Sequence, residues 1–203
     1  MISIDGTLVS PGKPGSYDRQ LHGFRVWRPE KSKFAALWYT GKVKDLIDMT
    51  SETRLLYLGA GNGSTVSYMA DYCEVVYAVE FAPRPMRDLI ALSEKRDNII
   101  PISADARNPG LYMPIVEPVD YIYMDVAQPN QAEIAIANRQ FLKDTGCIIF
   151  ILKTRSISVR ESPDVIMNRT ITRLAEFFTI ATHSLLIPFY PDHAGIICMP
   201  KKD

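Results

Sequence analysis

The run Arg54-Leu-Leu-Tyr-Leu-Gly-Ala-Gly-Asn-Gly-Ser-Thr65 constrains this chain more than any other feature. An apolar strand passes straight into a glycine-rich turn that opens a helix. Glu80 follows twenty-one residues after Gly59, at the end of a second apolar run, Val75-Val-Tyr-Ala-Val-Glu80. Glycines let a backbone turn sharply and approach a ligand, and a carboxylate on the second strand can accept both hydroxyls of a ribose. The glycines fall at 59, 61 and 63, and Ser64 stands where a dinucleotide-binding turn would place its third glycine. The pattern points to a nucleoside site and leaves a plain tight turn as its rival.

From Arg54 the pattern alternates. Strands are expected at 54–59, 74–80, 99–102, 119–125 and 146–153, with helices at 63–72, 84–96 and 129–142 among them. Such alternation implies a parallel sheet with helices on both faces. Pro83 and Pro85 suit the start of the second helix, where a missing amide proton costs little. A helix at about 161–177 then leads to two apolar strands, 178–187 and 193–199, joined by Pro188-Phe-Tyr-Pro-Asp192. Five residues cannot make a parallel crossover, so the chain ends in an antiparallel hairpin. A dinucleotide-binding dehydrogenase would finish with another parallel strand. The expected class is therefore α/β: a Rossmann-like, seven-stranded, mostly parallel sheet with a terminal antiparallel hairpin, the architecture of S-adenosylmethionine-dependent methyltransferases. Residues 1–30 read as a small N-terminal β region, and 31–203 as the main domain. Ser32 reads as the N-cap of a helix reaching about Met49 that buries Phe34, Leu37, Trp38 and Val43.

Positive and negative side chains cancel at 23 each. A protein that grips nucleic acid unaided would carry a basic excess, so a partner supplies that grip or the substrate is no polyanion. The cysteines, Cys73, Cys147 and Cys198, are widely spaced and read as reduced core residues, with no zinc pattern and no metal expected. No basic-then-apolar leader opens the sequence, and no apolar run approaches the roughly 20 residues of a membrane helix. A cytoplasmic location and no membrane partner are expected.

Ligands of open parallel sheets bind at the carboxyl ends of the strands. Asp125 ends the fourth strand, Lys153 ends the fifth, and His193 begins the reversed last strand, so all three meet one edge. Singly, each has a plainer reading: a helix cap, a solvated strand end, a turn residue. Asp105, after the third strand, could accept an adenine amine or cap its loop. Arg84, Arg87 and Arg107 read as surface charges.

With these residues in place, the chain resembles the fibrillarin family, especially its archaeal members, over about Phe24 to Pro200. The resemblance rests on Arg25-x-Trp-x-Pro-x-x-Ser-Lys-x-Ala-Ala36, Leu56-Tyr-Leu-Gly-Ala60, Val76-Tyr-Ala-Val-Glu-Phe81, Asn98-Ile-Ile-Pro101, Asp105-Ala-Arg107, Asp125-Val-Ala-Gln-Pro-Asn-Gln131 and Asp192-His-Ala194. It implies a ribose 2′-O-methyltransferase of rRNA and tRNA within a box C/D ribonucleoprotein. The implied partners are guide RNA, a Nop56/58-type scaffold protein and a kink-turn-binding ribosomal-type protein. S-adenosylmethionine is the implied cofactor, with Gly59, Ala60, Ser64, Thr65, Glu80, Phe81, Asp105, Ala106, Asp125 and Gln128 around it. The family's catalytic set falls on Lys33, Asp125, Lys153 and His193, and only the resemblance places Lys33 there. Two departures stand out: an N-terminal region shorter than expected for the family, and Gly-Asn-Gly-Ser-Thr where Gly-Thr-Thr is more usual.

Overall fold

In the computed structural model, which describes residues 1–15, 18–40 and 42–201, the chain opens with four short strands. These are β1 (Ile2–Ile4), β2 (Thr7–Ser10), β3 (Gln20–Leu21) and β4 (Phe24–Val26), hydrogen-bonded in the order β1-β2-β4-β3. Helix α1 (Lys33–Tyr39) follows, with the Ser32 hydroxyl accepting from the Ala35 amide as the expected cap. It ends ten residues earlier than the sequence suggested. Thr40 turns its hydroxyl back onto the Leu37 carbonyl, and the next residue in sequence is a glycine, a poor helix former. The apolar positions survive the correction, since Phe34, Leu37, Trp38 and Val43 are all buried.

The main sheet is built from β5 (Thr53–Leu58), β6 (Cys73–Glu80), β7 (Ile99–Ser103), β8 (Val119–Met124), β9 (Leu142–Lys153), β10 (Phe178–Leu186) and β11 (Tyr190–Pro200). Their order is β10-β11-β9-β8-β5-β6-β7. Helices α2 (Ser64–Met69), α3 (Pro83–Ser93), α4 (Gln131–Asn138) and α5 (Pro163–Leu174) make the connections. Pairing is parallel from β9 through β7, while β11 runs antiparallel to both its neighbours. Strand alternation sends Leu55 and Tyr57 to one apolar cluster and Leu56 and Leu58 to the other, so the central strand is buried on both faces. The three cysteines lie in this core, and burial pushes the Cys73 and Cys147 thiols up to about 12.

The terminal hairpin is tighter than expected. Its strands stop at Leu186 and resume at Tyr190, so His193 is the fourth residue of β11 and not its first. Pairing with β9 sets His193 opposite Lys153, which keeps it on the predicted edge. The chain passes to opposite sides of β5 at its carboxyl end, with β6 on one flank and β8 on the other. That switch point opens the crevice where open α/β sheets take ligands.

The N-terminal strands share the main core. Leu8 and Trp27 belong to the cluster that holds Phe34 and Leu37. A polar joint adds to this. The buried Arg25 guanidinium donates to Asp18 and Asp71 at 2.8 Å each, and to the Ser67 carbonyl and hydroxyl. Asp71 also accepts from Ser10 on β2 and from Arg96 beyond α3. Removing one partner of a buried pair leaves the other desolvated, a loss of about 3 kcal/mol. Arg25→Met should therefore lower the urea unfolding midpoint by a corresponding amount; an unchanged midpoint would show that the joint contributes nothing.

Candidate functional site

The glycine turn after β5 owes its shape to left-handed backbone at Gly59, Gly61 and Gly63, with φ of 78°, 57° and 83°. At Gly59 a second constraint applies. A Cβ there would lie 2.7 Å from the Asp125 carbonyl oxygen, closer than any side chain tolerates. The turn is anchored to β6 because the Gly59 and Ala60 amides both donate to the Val79 carbonyl at 3.0 Å. Glu80 is held just as firmly: one carboxylate oxygen accepts from the Gly61 amide and the other from Ala82, each at 2.8 Å. Each oxygen keeps a second lone pair, so the carboxylate still offers two acceptors in a fixed orientation.

A cleft of about 340 Å³ opens here, bounded by Gly59, Glu80, Phe81, Asp105, Asp125 and Lys153, with Ala106 and Gln128 also in its wall. Phe81 is 59% exposed, a large apolar side chain at the mouth of this cleft. Of the two roles considered for Asp105, the structure shows the loop cap. Its carboxylate caps its own loop by accepting from the Arg107 amide, and the Arg107 guanidinium grips it from the side. That grip, with the amide, lowers the Asp105 pKa. Arg107 is thus no idle surface charge, although the sequence offered no sign of this.

The second half of the site is a charge bridge. Asp125 follows β8 directly, and its amide donates to the Leu58 carbonyl, which fixes it beside the glycine turn. Lys33 Nζ, from the first turn of α1, donates to Asp125 Oδ2 at 2.9 Å. Lys153 Nζ, from the end of β9, donates to the Asp125 carbonyl at 3.0 Å. It also lies 3.0 Å from Oδ1 as an ion pair, off the line of a hydrogen bond, so Oδ1 is left without a donor. Two cations on one carboxylate leave this edge electropositive.

Two residues that sequence reasoning gave no role support the bridge. Gln131 is fully buried and its carboxamide closes a reciprocal pair with Lys153, accepting from its amide at 2.9 Å and donating to its carbonyl at 3.0 Å. This pair of bonds fixes the backbone of the lysine. Tyr190 sets its ring edge-on to His193, with centroids 5.6 Å apart, and under Lys33 Nζ at the same distance. The His193 ring nitrogen Nδ1 is buried without a partner. Burial lowers the imidazole pKa below its ordinary 6.5; Lys33 and Lys153 push the same way, while Asp125 and Asp192 oppose.

The structure thus brings together every residue proposed from strand ends. Ser64 and Thr65 stand apart from the cleft, lining a neighbouring cavity across the glycine turn. Ser64 bonds to Asn62, and Thr65 lies 3.4 Å from the Ser32 hydroxyl. Ala60 contributes backbone only, and its amide is taken by Val79. Among the described residues no group of acidic, histidine or cysteine side chains is arranged to hold a metal, and no helix is long and apolar enough to cross a membrane.

Known proteins with this pattern are consistent with one another. The Fibrillarin family model matches residues 11–202. A fibrillarin-like rRNA/tRNA 2′-O-methyltransferase of Methanoculleus marisnigri is 51% identical over 200 residues, covering 98% of each chain. A chain of a solved fibrillarin/Nop5p complex superposes with a TM-score of 0.89 at 37% identity, over 98% of this chain and 96% of that one. Aeropyrum pernix fibrillarin, solved with natively bound S-adenosyl-L-methionine, gives a TM-score of 0.80 at 38% identity over 94% and 86%.

The depressed His193 pKa has a consequence for stability. The unfolded chain takes up the proton first as pH falls, so folding free energy declines from about pH 6.5 downward, through the lower folded-state value. His193→Gln should flatten that decline when urea unfolding is compared at about pH 7.5 and about pH 5. An acid sensitivity equal to wild type would place its origin elsewhere.

Proposed function

The chain belongs to the fibrillarin family, and from that membership we propose that it is an S-adenosylmethionine-dependent RNA ribose 2′-O-methyltransferase acting on rRNA and tRNA. It serves as the catalytic subunit of a guide-RNA-directed box C/D ribonucleoprotein. The observation that carries this proposal is the Lys33–Asp125–Lys153 bridge, two of whose members line a cleft equipped for a nucleoside.

The residues of that cleft fit the cofactor. Glu80 would accept the ribose hydroxyls on the lone pairs its two amide bonds leave over. Phe81 would lie against the adenine, and Asp105, steadied by Arg107, would accept its exocyclic amine beside Ala106. Gly59 and Ala60 would bring the backbone close, and Asp125 and Gln128 would lie near the methyl donor, while Ser64 and Thr65, outside this cleft, have only the family resemblance to assign them to the cofactor's amino-acid end. S-adenosylmethionine supplies an electrophilic methyl group on a sulfonium, so the protein's work is alignment and charge.

Alignment of two reactants removes several kcal/mol of a barrier. A ribose 2′-hydroxyl is a poor acid, and a fixed cation at its oxygen favours the alkoxide character that develops during transfer. Lys153 is the group for this, since Gln131 fixes its backbone and Asp125 its ammonium. Asp125 orients both lysines, while Lys33 and His193 hold the target nucleotide and its phosphate. His193, neutral at pH 7, offers a ring N–H rather than a charge.

With 23 positive and 23 negative side chains, the protein relies on others to find its RNA. A scaffold of the Nop56/58 type docks the enzyme, in keeping with the fibrillarin/Nop5p complex among its relatives. Guide RNA selects the nucleotide by pairing, and a kink-turn-binding ribosomal-type protein starts assembly. A cytoplasmic location goes with these partners.

The decisive experiment is label transfer from S-adenosylmethionine to a guide-paired target in the assembled particle, with a 2′-deoxy target as control. Lys153→Ala should cut transfer by about 10²-fold or more, as loss of one charge-stabilising donor does, while cofactor affinity stays within about twofold of wild type. Near-normal turnover in the variant would remove Lys153 from the reaction, and label in the deoxy target would rule out the 2′-oxygen.

A further inference from the structure

His193 reaches the catalytic edge through an irregularity of β11. Along β10 the pairing steps from Leu185 to Leu186, while on β11 it passes from Ala194 to Tyr190, so Pro191, Asp192 and His193 have no partner on β10. On the other flank His193 still pairs with Lys153. Extra residues of this kind bend a strand and re-aim its side chains, and they recur beside active sites. The bulge is held from the β9 side. The Thr154 hydroxyl donates to the Asp192 carbonyl at 2.8 Å, and the Arg155 guanidinium donates to the Asp192 carboxylate at 3.0 Å. Thr154 and Arg155 are the two residues that follow Lys153 in the chain.

The bulge joins two side chains that a regular strand would separate. His193 is the third residue after Tyr190, an odd spacing that sends side chains to opposite faces of an even pleat. Here the two rings meet, with centroids 5.6 Å apart and planes at 66°, an edge arrangement that aromatic quadrupoles favour. The Lys33 ammonium stands 5.6 Å from the centroid of the same Tyr190 ring, within reach of a cation–π contact. Tyr190 is partly buried against the apolar cluster that contains Phe34 and Tyr123, so the ring has a fixed seat. Burial, and then the carboxylates of Asp125 and Glu30, raise its pKa and keep the phenol neutral at pH 7.

These contacts close a circuit around the site. Asp125 pairs with Lys33 and Lys153, Lys153 faces His193 in the ladder, His193 meets Tyr190, and Tyr190 receives Lys33. The Tyr190 ring makes two of these links. It makes them where other restraint is thin: His193 Nδ1 has no hydrogen-bond partner to orient the imidazole, and the Lys33 ammonium is held on its other side by a single carboxylate oxygen. We infer that Tyr190 is a positioning residue of the reaction, its ring holding the His193 imidazole and the Lys33 ammonium at the spacing in which both meet the target nucleotide. The inference rests on the roles proposed above for Lys33 and His193. The aromatic ring is the working part, since both contacts are made by the ring and neither by the hydroxyl.

The test compares Tyr190→Leu, which keeps an apolar side chain without a ring, with Tyr190→Phe, which keeps the ring without the hydroxyl, in steady-state transfer by assembled particles. Tyr190→Leu should raise the KM for target RNA about fivefold, the worth of a cation–π contact and an aromatic pair together, with S-adenosylmethionine affinity unchanged. Tyr190→Phe should restore the wild-type KM. A second readout needs no RNA. In the free protein the imidazole resonances of His193, assigned by their loss in His193→Gln, carry the ring-current shift of the neighbouring ring. They should stay in place in Tyr190→Phe and move in Tyr190→Leu. Wild-type transfer with no effect of Tyr190→Leu on KM or on the resonances would overturn this inference alone, whereas no transfer by the wild-type particle would overturn the enzymatic assignment beneath it. An equal loss in Tyr190→Phe would place the function in the hydroxyl and overturn the inference. So would weaker cofactor binding in Tyr190→Leu, which would make the ring a general support of the fold.

Discussion

Asp125 is the point at which the two halves of this site become one object. Its carboxylate gathers ammonium groups from α1 and from the end of β9, positions more than a hundred residues apart in sequence, and two such groups would repel each other without it. Its backbone matters as much as its charge. The carbonyl accepts from Lys153, while the same oxygen approaches the space where a Cβ of Gly59 would stand. The glycine at the head of the nucleoside turn is therefore required twice, by its own left-handed backbone and by the aspartate packed against it. The glycine turn and the Asp125 carboxylate share one piece of backbone geometry, so neither can drift without the other. Reaction sites that work by alignment need this kind of mechanical coupling.

Much of this was legible in the sequence because it depends on local pattern. Strand and helix alternation, the hairpin and the apolar positions of α1 follow from period and from a connection too short for a crossover. Asp125, Lys153 and His193 could be placed on one edge because a strand end is a position that topology fixes. Lys33 lay beyond that method. It sits before the sheet begins, and nothing in its neighbours indicates that it reaches Asp125, ninety-two residues away. Gln131 and Arg107 were hidden differently. A glutamine in a helix and an arginine in a loop are ordinary by type, and their importance appears only when Gln131 bonds the backbone of Lys153 and Arg107 folds back on Asp105. The length of α1 was overestimated because apolar spacing continued through Val43 and Ile47, which tertiary packing buries without a helix.

Charge neutrality becomes informative once the charges have positions. Many cations are consumed in ion pairs that hold the fold, Arg25 and Arg96 on Asp71 among them. At the edge of the sheet the balance differs locally, since two lysines meet the single carboxylate of Asp125 and leave one positive charge over. An even distribution would give the same total and no preferred path. Such focusing attracts a phosphate backbone locally without making the whole surface adhesive.

The same economy fits the placing of Asp125, Lys153 and His193 on or directly beside strands and not on long loops. In the function proposed above, a guide and a scaffold would deliver the substrate already positioned. An enzyme that closed over its substrate could adjust to that position; one that receives it must already hold its groups in place. Lys153 and His193 face each other in the ladder, and Gln131 bonds both the amide and the carbonyl of Lys153. Electrostatic stabilisation of a developing alkoxide is strongest when the cation need not reorganise. A rigid sheet edge provides that condition, and the antiparallel turn of β11 is what brings the histidine to it.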